Sequence, residues 1–514
     1  MKVVLILLCF SPLAWSGQTS PQTLLAIQNY IVTDDLTAAE NQLTAALKEN
    51  PNDGGLYNLQ GIIDAKRNQL DRAENDFTKA LRLRPDLAGA YLNLARVYEL
   101  RNERTSESVQ RAISLYREFL KRQPSSVEGR LGLVKVLEWK GEFLLSLGEL
   151  GRLPAGRREQ PLALALRCAD LSGLGRLEEA SKAAEALVRT PEVTEDDIDL
   201  VIPILKERHA DSLMIQLLEM WQQNHAPSSD LLWSLADAYT RLGQRGNARQ
   251  VLEAIAQRDP TSTQPLLQLA HIAYDERKLE DALGYLAHAR DLEPNNAAVH
   301  FFFGIVEIEL DLPVDAKKSL ARAIELDPSN AAYYYARGSV ELQGKSAWDA
   351  IPYFQKYIAL KPNDPRGHFA LGAAQFASQD YESATKEMEL VCRYKETVAG
   401  AEYFLGRIAK VNGDWKMAAD HLQHSVEADP NYSESHAELG LVKLHLGDIP
   451  GAQRELARSL SLNPDSALAN ANLLALYQRT RDPRISDQQK KLAELDAKRS
   501  QKQELMTRTV GVRP

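Results

Sequence analysis

Residues 297–330 read AAVHFFFGIVEIELDLPVDAKKSLARAIELDPSN. Ala316, Leu320 and Ala323 fall at i, i+4 and i+7, one face of a helix. Phe303 and Gly304 lie in an apolar segment before it, and Asp311-Leu312-Pro313 reads as the turn between the two. Pro328 closes the second helix, because it lacks the N–H that a helix interior needs. A small residue such as Gly304 suits a place where two backbones come close. The stretch predicts a helical hairpin.

The hairpin recurs. Pro260, Pro294, Pro328 and Pro362 stand at one constant interval, and the same interval separates Pro430 from Pro464. Ala248, Ala282, Ala316, Ala350, Ala384, Ala418 and Ala452 keep that spacing. So do the small residues Ala236, Ala270, Gly304, Gly338, Gly372, Gly406 and Gly440. A fixed period of this length marks a stacked array of one supersecondary unit.

With Pro328 set as position 32, His300, Phe303, Gly304, Glu307, Ala316, Leu320 and Ala323 take positions 4, 7, 8, 11, 20, 24 and 27. The pattern resembles the tetratricopeptide repeat family. Tyr334, Gly338, Ala350, Phe354, Tyr357 and Pro362 match it again, as do Tyr57, Gly61, Ala73, Phe77, Ala80 and Pro85. The resemblance covers nearly all of the chain after its first residues. It implies an all-α fold, a right-handed α-solenoid (superhelix) of about fourteen helix-turn-helix units. Each unit has the length of about 34 residues that is usual for this repeat. Units begin near residues 20, 54, 88, 127, 161, 196, 229, 263, 297, 331, 365, 399, 433 and 467. The third carries extra residues around 103–108, read as a longer turn. Pro203 should kink or restart a helix, and the stretch from Pro154 to Pro161 reads as an extended connection. The expected organisation is a signal peptide at 1–16, a repeat block at 17–153 and degenerate units at 154–228. A regular block at 229–480 and a polar capping helix with a frayed tail at 481–514 follow.

The start carries the three parts of a secretory signal. Lys2 is basic, Val3 to Phe10 is continuously apolar, and Ala14 and Ser16 are small residues suited to a cut after Ser16. The apolar run is too short to cross about 30 Å of hydrocarbon. No other segment is apolar for long enough, so no transmembrane segment is expected in the mature chain. Cys9 follows Ile6, Leu7 and Leu8 rather than a small residue, which argues against lipidation. The expected location is exported, periplasmic or extracellular.

Composition narrows the chemistry. The 514 residues carry 61 basic and 70 acidic side chains, a net charge of −9, which disfavours nucleic acid as a partner. Cys9, Cys168 and Cys392 are the only cysteines, too few for a disulfide framework or a structural zinc motif. No HExxH, P-loop, GxSxG or calcium loop is present. Gly173-Leu174-Gly175 reads as a turn between helices. His300, His368 and His436 share position 4 in alternate units, too far apart to hold one ion. His421 and His424 share a helical face without an evident third ligand. Cys168 at position 8 reads as a buried structural thiol. No catalytic residue, metal or cofactor is expected.

The resemblance implies that the first helix of each unit lines an inner groove through positions 2, 5, 9 and 12. Position 5 is Trp233, Leu267, Phe301, Tyr335, Phe369 and Tyr403 in six successive units. Ile305, Ile308, Leu342, Phe376, Leu441 and Leu444 add apolar surface, and Arg407 and Lys410 a basic spot. Aromatics at helical spacing also serve to pack helices, and part of this row is expected to do so. The groove suits an extended or helical peptide with apolar anchors and an acidic group directed at Arg407. Some family members clamp a terminal carboxylate with Lys and Asn at positions 5 and 9. Ile305, Ser339 and Ala373 stand at position 9 here, so that subtype is disfavoured. The expected function is a non-catalytic exported scaffold for a protein or peptide partner. The alternative is a cell-envelope component that binds or exports polysaccharide, or serves outer-membrane assembly.

Overall fold

A computed structural model describes residues 19–101, 104–344 and 347–510, without the side chains of residue 499 and residues 501–510. The expected signal peptide and Cys9 lie outside the described residues. Those residues form 29 helices and no strand, so the fold is all-α. None of these helices is long and apolar enough to cross a membrane.

The helices come in pairs. Ala297–Glu309 pairs with Pro313–Leu326, and Ala331–Gln343 with Ala347–Leu360. Pro365–Ala377 pairs with Tyr381–Val391, Val398–Val411 with Trp415–Ala428, and Ser433–Leu446 with Ile449–Leu462. In these five pairs each helix packs on its hairpin partner, and each second helix then packs on the first helix that follows it. Asp53, Asn296, Asn330 and Asp364 cap first helices by accepting a backbone N–H from the first turn.

The ladders of small residues set the spacing within each pair. All seven ladder alanines are fully buried. A Cβ at Gly304 would stand 2.7 Å from Leu320, one at Gly338 2.8 Å from Phe354, and one at Gly440 2.7 Å from Leu456. The glycine at position 8 thus makes room for the large side chain at position 24 as well as for the close backbone. Interiors packed to this density cannot absorb an added methyl without a shift.

A second device recurs where one pair meets the next. Tyr57, Tyr91 and Tyr334 each donate to the carbonyl of the proline six residues back, Pro51, Pro85 and Pro328, at 3.1 Å. Asn470 does the same to Pro464 at 3.1 Å. Nε2 of His300 and of His436 reach Pro294 and Pro430 at 2.9 and 3.2 Å. The proline lies just past the helix C-cap, where its carbonyl has no helical donor, and position 4 supplies one.

Every positive φ among the described residues lies in the turn inside a pair. Asp34, Asn68, Asp311, Gln379, Gly413 and Gly447 are examples, each at position 15. From Gly141 through Gly175, His209, Gly243 and Arg277 to Asp311 the step is one repeat period each time. The phase therefore holds through 154–228, and the sixth unit begins at 195 rather than 196.

Three local expectations are refined. Residues Ala155–Arg158 form a turn of helix rather than an extended connection. Of the two outcomes expected at Pro203 the restart does not occur, since helix Glu195–Glu207 runs through it. The third unit's extra residues go partly into the expected longer connection, between Leu100 and Ser106, and partly into the second helix, Ser106–Arg122, which has 17 residues against 14 for Leu70–Leu83.

The chain divides into two compact units, residues up to Arg258 and from Asp259 onward. In the first, a continuous core runs from Leu24 to Leu137. Helix Pro161–Gly173 packs on Glu195–Glu207, and Leu177–Arg189 on Asp211–Gln222. Like helix stacks on like helix there. The second unit ends in Ala467–Thr480 and the long helix Ile485–Val510. Gln488 bonds to Asn470, Lys491 pairs with Asp465 at 2.9 Å, and Leu495 is buried. The start of the long helix thus covers the last pair.

Candidate functional site

Positions 2, 5, 9 and 12 share one face of each first helix, because they differ by three or four residues. In the second compact unit, Ala298, Ala332 and Arg366 at position 2 are exposed. Leu267, Phe301, Ile305, Ile308, Tyr335, Leu342, Phe369 and Phe376 are half-buried. In the first compact unit Trp233 is half-buried on helix Ser229–Arg241.

The half-buried row does two jobs. Phe301, Ile305 and Ile308 pack against a buried cluster made by Ala316 and Leu320 of their own pair and Ala336 and Val340 of the next. The Phe301 ring lies 4.8 Å from that of Tyr333. Tyr335 meets Phe354 and Tyr357 at 5.7 and 5.1 Å. Phe369 lies against Gly400, where a Cβ would come within 2.7 Å of its ring, and edge-on to Phe404 at 5.8 Å. The rings of Phe301 and Phe369 thus join two pairs, that of Tyr335 packs on the partner helix of its own pair, and the rest of each stays accessible.

Two expected groove residues are not accessible. Tyr403 is 7% exposed, enclosed by Phe404 and Tyr432 at 5.4 and 5.2 Å and by the Arg407 guanidinium at 5.4 Å. Burial pushes its phenol pKa up. Leu444 is 4% exposed, packed among Ala452, Leu456 and Leu476. Leu441 remains half-buried.

The basic spot is also occupied. Glu438, with a side chain only 3% exposed, sits 2.5 Å from Nζ of Lys410 and 3.6 Å from Nε of Arg407. Arg407 stacks over Phe376 at 4.5 Å. A carboxylate this deep needs a partner, and these two cations supply it. An acid on a ligand would have to compete with Glu438 for Arg407.

Position 4 has a second partner that the sequence reading missed. His368 Nδ1 meets Glu387 at 2.7 Å, Glu402 meets His421 Nδ1 at 2.7 Å, and His436 Nδ1 meets Glu455 at 2.8 Å. Arg130 pairs with Glu149 in the first compact unit in the same way. All four pairs are 19 residues apart, position 4 to position 23, and clasp the two helices of one repeat. Opposite charges at that spacing were the available signal. His421 is raised above the ordinary imidazole value by its hydrogen bond to Glu402.

The two described cysteines are free thiols. Cys168 is fully buried and directs its sulfur at the Ala180 carbonyl, 3.5 Å away. Burial pushes its pKa up to about 12. A cavity of about 550 Å³ opens beside the pair 331–360, lined by Tyr334, Arg337, Trp348 and Tyr353 among others. Trp348 is 67% exposed there. It lies on a second helix, away from the face that periodicity singled out.

Tetratricopeptide repeat profiles match residues 58–108 and 313–365, and a further one matches residues 229–272. The chain carries tetratricopeptide repeats. No curated protein sequence matches it. Among solved structures it is similar to the Cut9–Hcn1 heterotetramer of the APC/C. That match has 16% identity, 82% of this chain and 96% of that one covered, and a TM-score of 0.39. It is similar to a tetratricopeptide repeat protein from Parabacteroides merdae at 14% identity, 48% and 98% coverage, and a TM-score of 0.41. It is similar to Pseudomonas aeruginosa pilF at 23% identity, 40% and 94% coverage, and a TM-score of 0.36.

Proposed function

We propose that this chain is an exported, non-catalytic scaffold that holds a protein partner on the first-helix face of its second compact unit. The observation that carries this is the row Phe301, Ile305, Tyr335, Leu342, Phe369 and Phe376. It is half-buried, recurs once per repeat period, and is flanked by the exposed position-2 residues Ala298 and Ala332. A row of apolar anchors at fixed intervals suits an extended or helical segment that reaches several repeats at once. The rings are already fixed by packing on neighbouring helices, which lowers the ordering cost of binding. The apolar run at 3–10, followed by Ala14 and Ser16, supports export to a periplasm or the exterior.

Because the rings also join adjacent pairs, alanine substitutions there would confound binding with folding. Ala298→Lys and Ala332→Lys put bulk and charge onto the face without touching a packed residue. The parent and the double variant, residues 17–514, are crosslinked in a native envelope fraction. A partner captured by the parent and lost by the variant, with thermal unfolding unchanged, supports the scaffold reading. Equal capture by both overturns this face as the site. Sequencing the N-terminus of the native protein from the same fraction should begin at Gly17; a chain that retains Met1 in the cytoplasmic fraction would overturn export.

A further inference from the structure

Positions 4 and 23 meet across the two helices of a repeat, and three consecutive repeats fill them with one imidazole and one carboxylate. The order is His368 with Glu387, then Glu402 with His421, then His436 with Glu455. The middle repeat reverses the two residues and keeps the contact. What recurs is therefore the clasp, not a residue type at either position. Each time Nδ1 lies 2.7 or 2.8 Å from a carboxylate oxygen, and all six side chains are less than a third exposed. The two preceding repeats carry His300 with Ser319 and Tyr334 with Tyr353 at these positions, and the repeat that follows carries Asn470 with Gln489. Within the second compact unit the imidazole clasps are confined to 365–462.

The groups around each imidazole favour its charged form. His368 faces Glu387 from the second helix of its pair. His421 faces Glu402 from the first helix of its pair, with Asp420 on its own helix and Glu389 on the helix before adding negative field. His424 stands 4.0 Å from the same Glu402 oxygen. Burial pushes the nearby Cys392 thiol up to about 12, so it brings no charge. His436 faces Glu455, which Lys443 also holds at 2.8 Å. Nε2 of His436 and a guanidinium nitrogen of Arg458 both reach the Pro430 carbonyl at 3.2 Å. Burial alone would raise Glu402 and Glu455. Hydrogen bonds with His421, and with Lys443 and His436, outweigh it and hold both below the ordinary carboxylate value.

We propose that residues 365–462 form an acid-tightened segment, in which protonation of His368, His421 and His436 locks three successive hairpins together with their carboxylate partners. A neutral imidazole donates one ordinary hydrogen bond to its carboxylate. The imidazolium makes a charge-assisted bond, roughly twice as strong. Because the partners lie on different helices of one pair, the added strength falls on the contact that keeps the hairpin shut. His421 gives the sign. Raised on folding by its hydrogen bond to Glu402, it adds stability that is complete below its unfolded value of about 6.5 and is lost as pH rises through the folded one. The lowered carboxylates set the other edge. Their contribution is present above about pH 4.3 and is lost as pH falls through their folded values. The clasps are strongest between about pH 4.3 and 6.5.

The test is amide hydrogen exchange of the full chain at pH 5.5 and pH 7.5, with rates corrected for the pH dependence of the exchange chemistry itself. The parent is compared with the triple variant His368→Gln, His421→Gln and His436→Gln. In the parent, protection across 365–462 should be at least roughly threefold greater at pH 5.5 than at pH 7.5. The triple variant should lose that difference, while the two preceding repeats give the same ratio in both proteins. An equal ratio for 365–462 in parent and variant overturns the proposal. A reversed clasp separates titration from packing: His368→Glu combined with Glu387→His copies the order of the middle repeat and should keep the pH response of 365–391, and its loss there overturns the proposal. The imidazole of His421, followed by NMR in the unmodified chain, should titrate above pH 6.5; a midpoint at or below about 6.5 overturns it without any variant.

Discussion

The hydroxyl of Tyr334 donates to the carbonyl of Pro328, 3.1 Å away and six residues back. The same bond recurs with tyrosine, histidine or asparagine as donor, so the chemistry required is a reach and a proton rather than one residue type. Tyr334→Phe removes only the donor, while the ring keeps its packing. The expected loss is about 0.5–1.5 kcal/mol, read from the shift of the urea midpoint. Amide exchange should quicken first in the turn 327–331.

Gly338 faces the ring of Phe354, where a Cβ would stand 2.8 Å from it. Gly338→Ala is expected to destabilise by about 1–3 kcal/mol despite alanine's better helix propensity. Phe354→Leu in the same background should restore part of that loss. Additive losses in the double variant would show that the two sites do not share a contact.

Gln379 holds φ at 65°, a conformation its side chain disfavours, while Gly413 and Gly447 take the same place in later repeats. Gln379→Gly is expected to raise stability by roughly 1 kcal/mol, the steric cost of the left-handed region. A lowered melting temperature would contradict this reading of the turn.

Glu138 and Asp170 set a pH dependence in the first compact unit. Burial, and for Glu138 the nearby charge of Asp170, push their pKa values up to about 9 and about 8. Unfolded, both fall to about 4. Between these limits the folded chain holds protons that the unfolded chain releases. Their contribution is therefore most favourable below about pH 4 and declines as pH rises towards 8–9. Asp170→Asn and Glu138→Gln should flatten that decline and raise the melting temperature at pH 8. A steeper fall in the variants would show that the carboxylates are held ionised.

The repeat was legible because its markers are packing requirements. Alanine at position 20, glycine at 8 and a large apolar residue at 24 must meet in each pair, so they recur in the sequence. Depth on the groove face was not legible. Periodicity gives a residue's direction, whereas Tyr403 is closed over by Phe404 and Tyr432. Glu438, which occupies Arg407 and Lys410, comes from the next repeat at a position where earlier repeats carry Ala336, Ala370 and Phe404. Nothing in the twelfth repeat announces it. The left-handed turn residue was hidden for another reason: Asp, Asn, Arg, Gln, His and Gly all fill it.

Because the donor at position 4 and the proline six residues before it both belong to the joint, a cut made anywhere within one period carries half of a joint to each end. Duplicating or deleting any stretch of one whole period inside 263–364 would rejoin those halves with their hydrogen bond intact. The array can therefore change length by insertion of complete periods without rewriting its neighbours, a route by which reach, rather than chemistry, becomes the quantity that selection or an engineer can adjust.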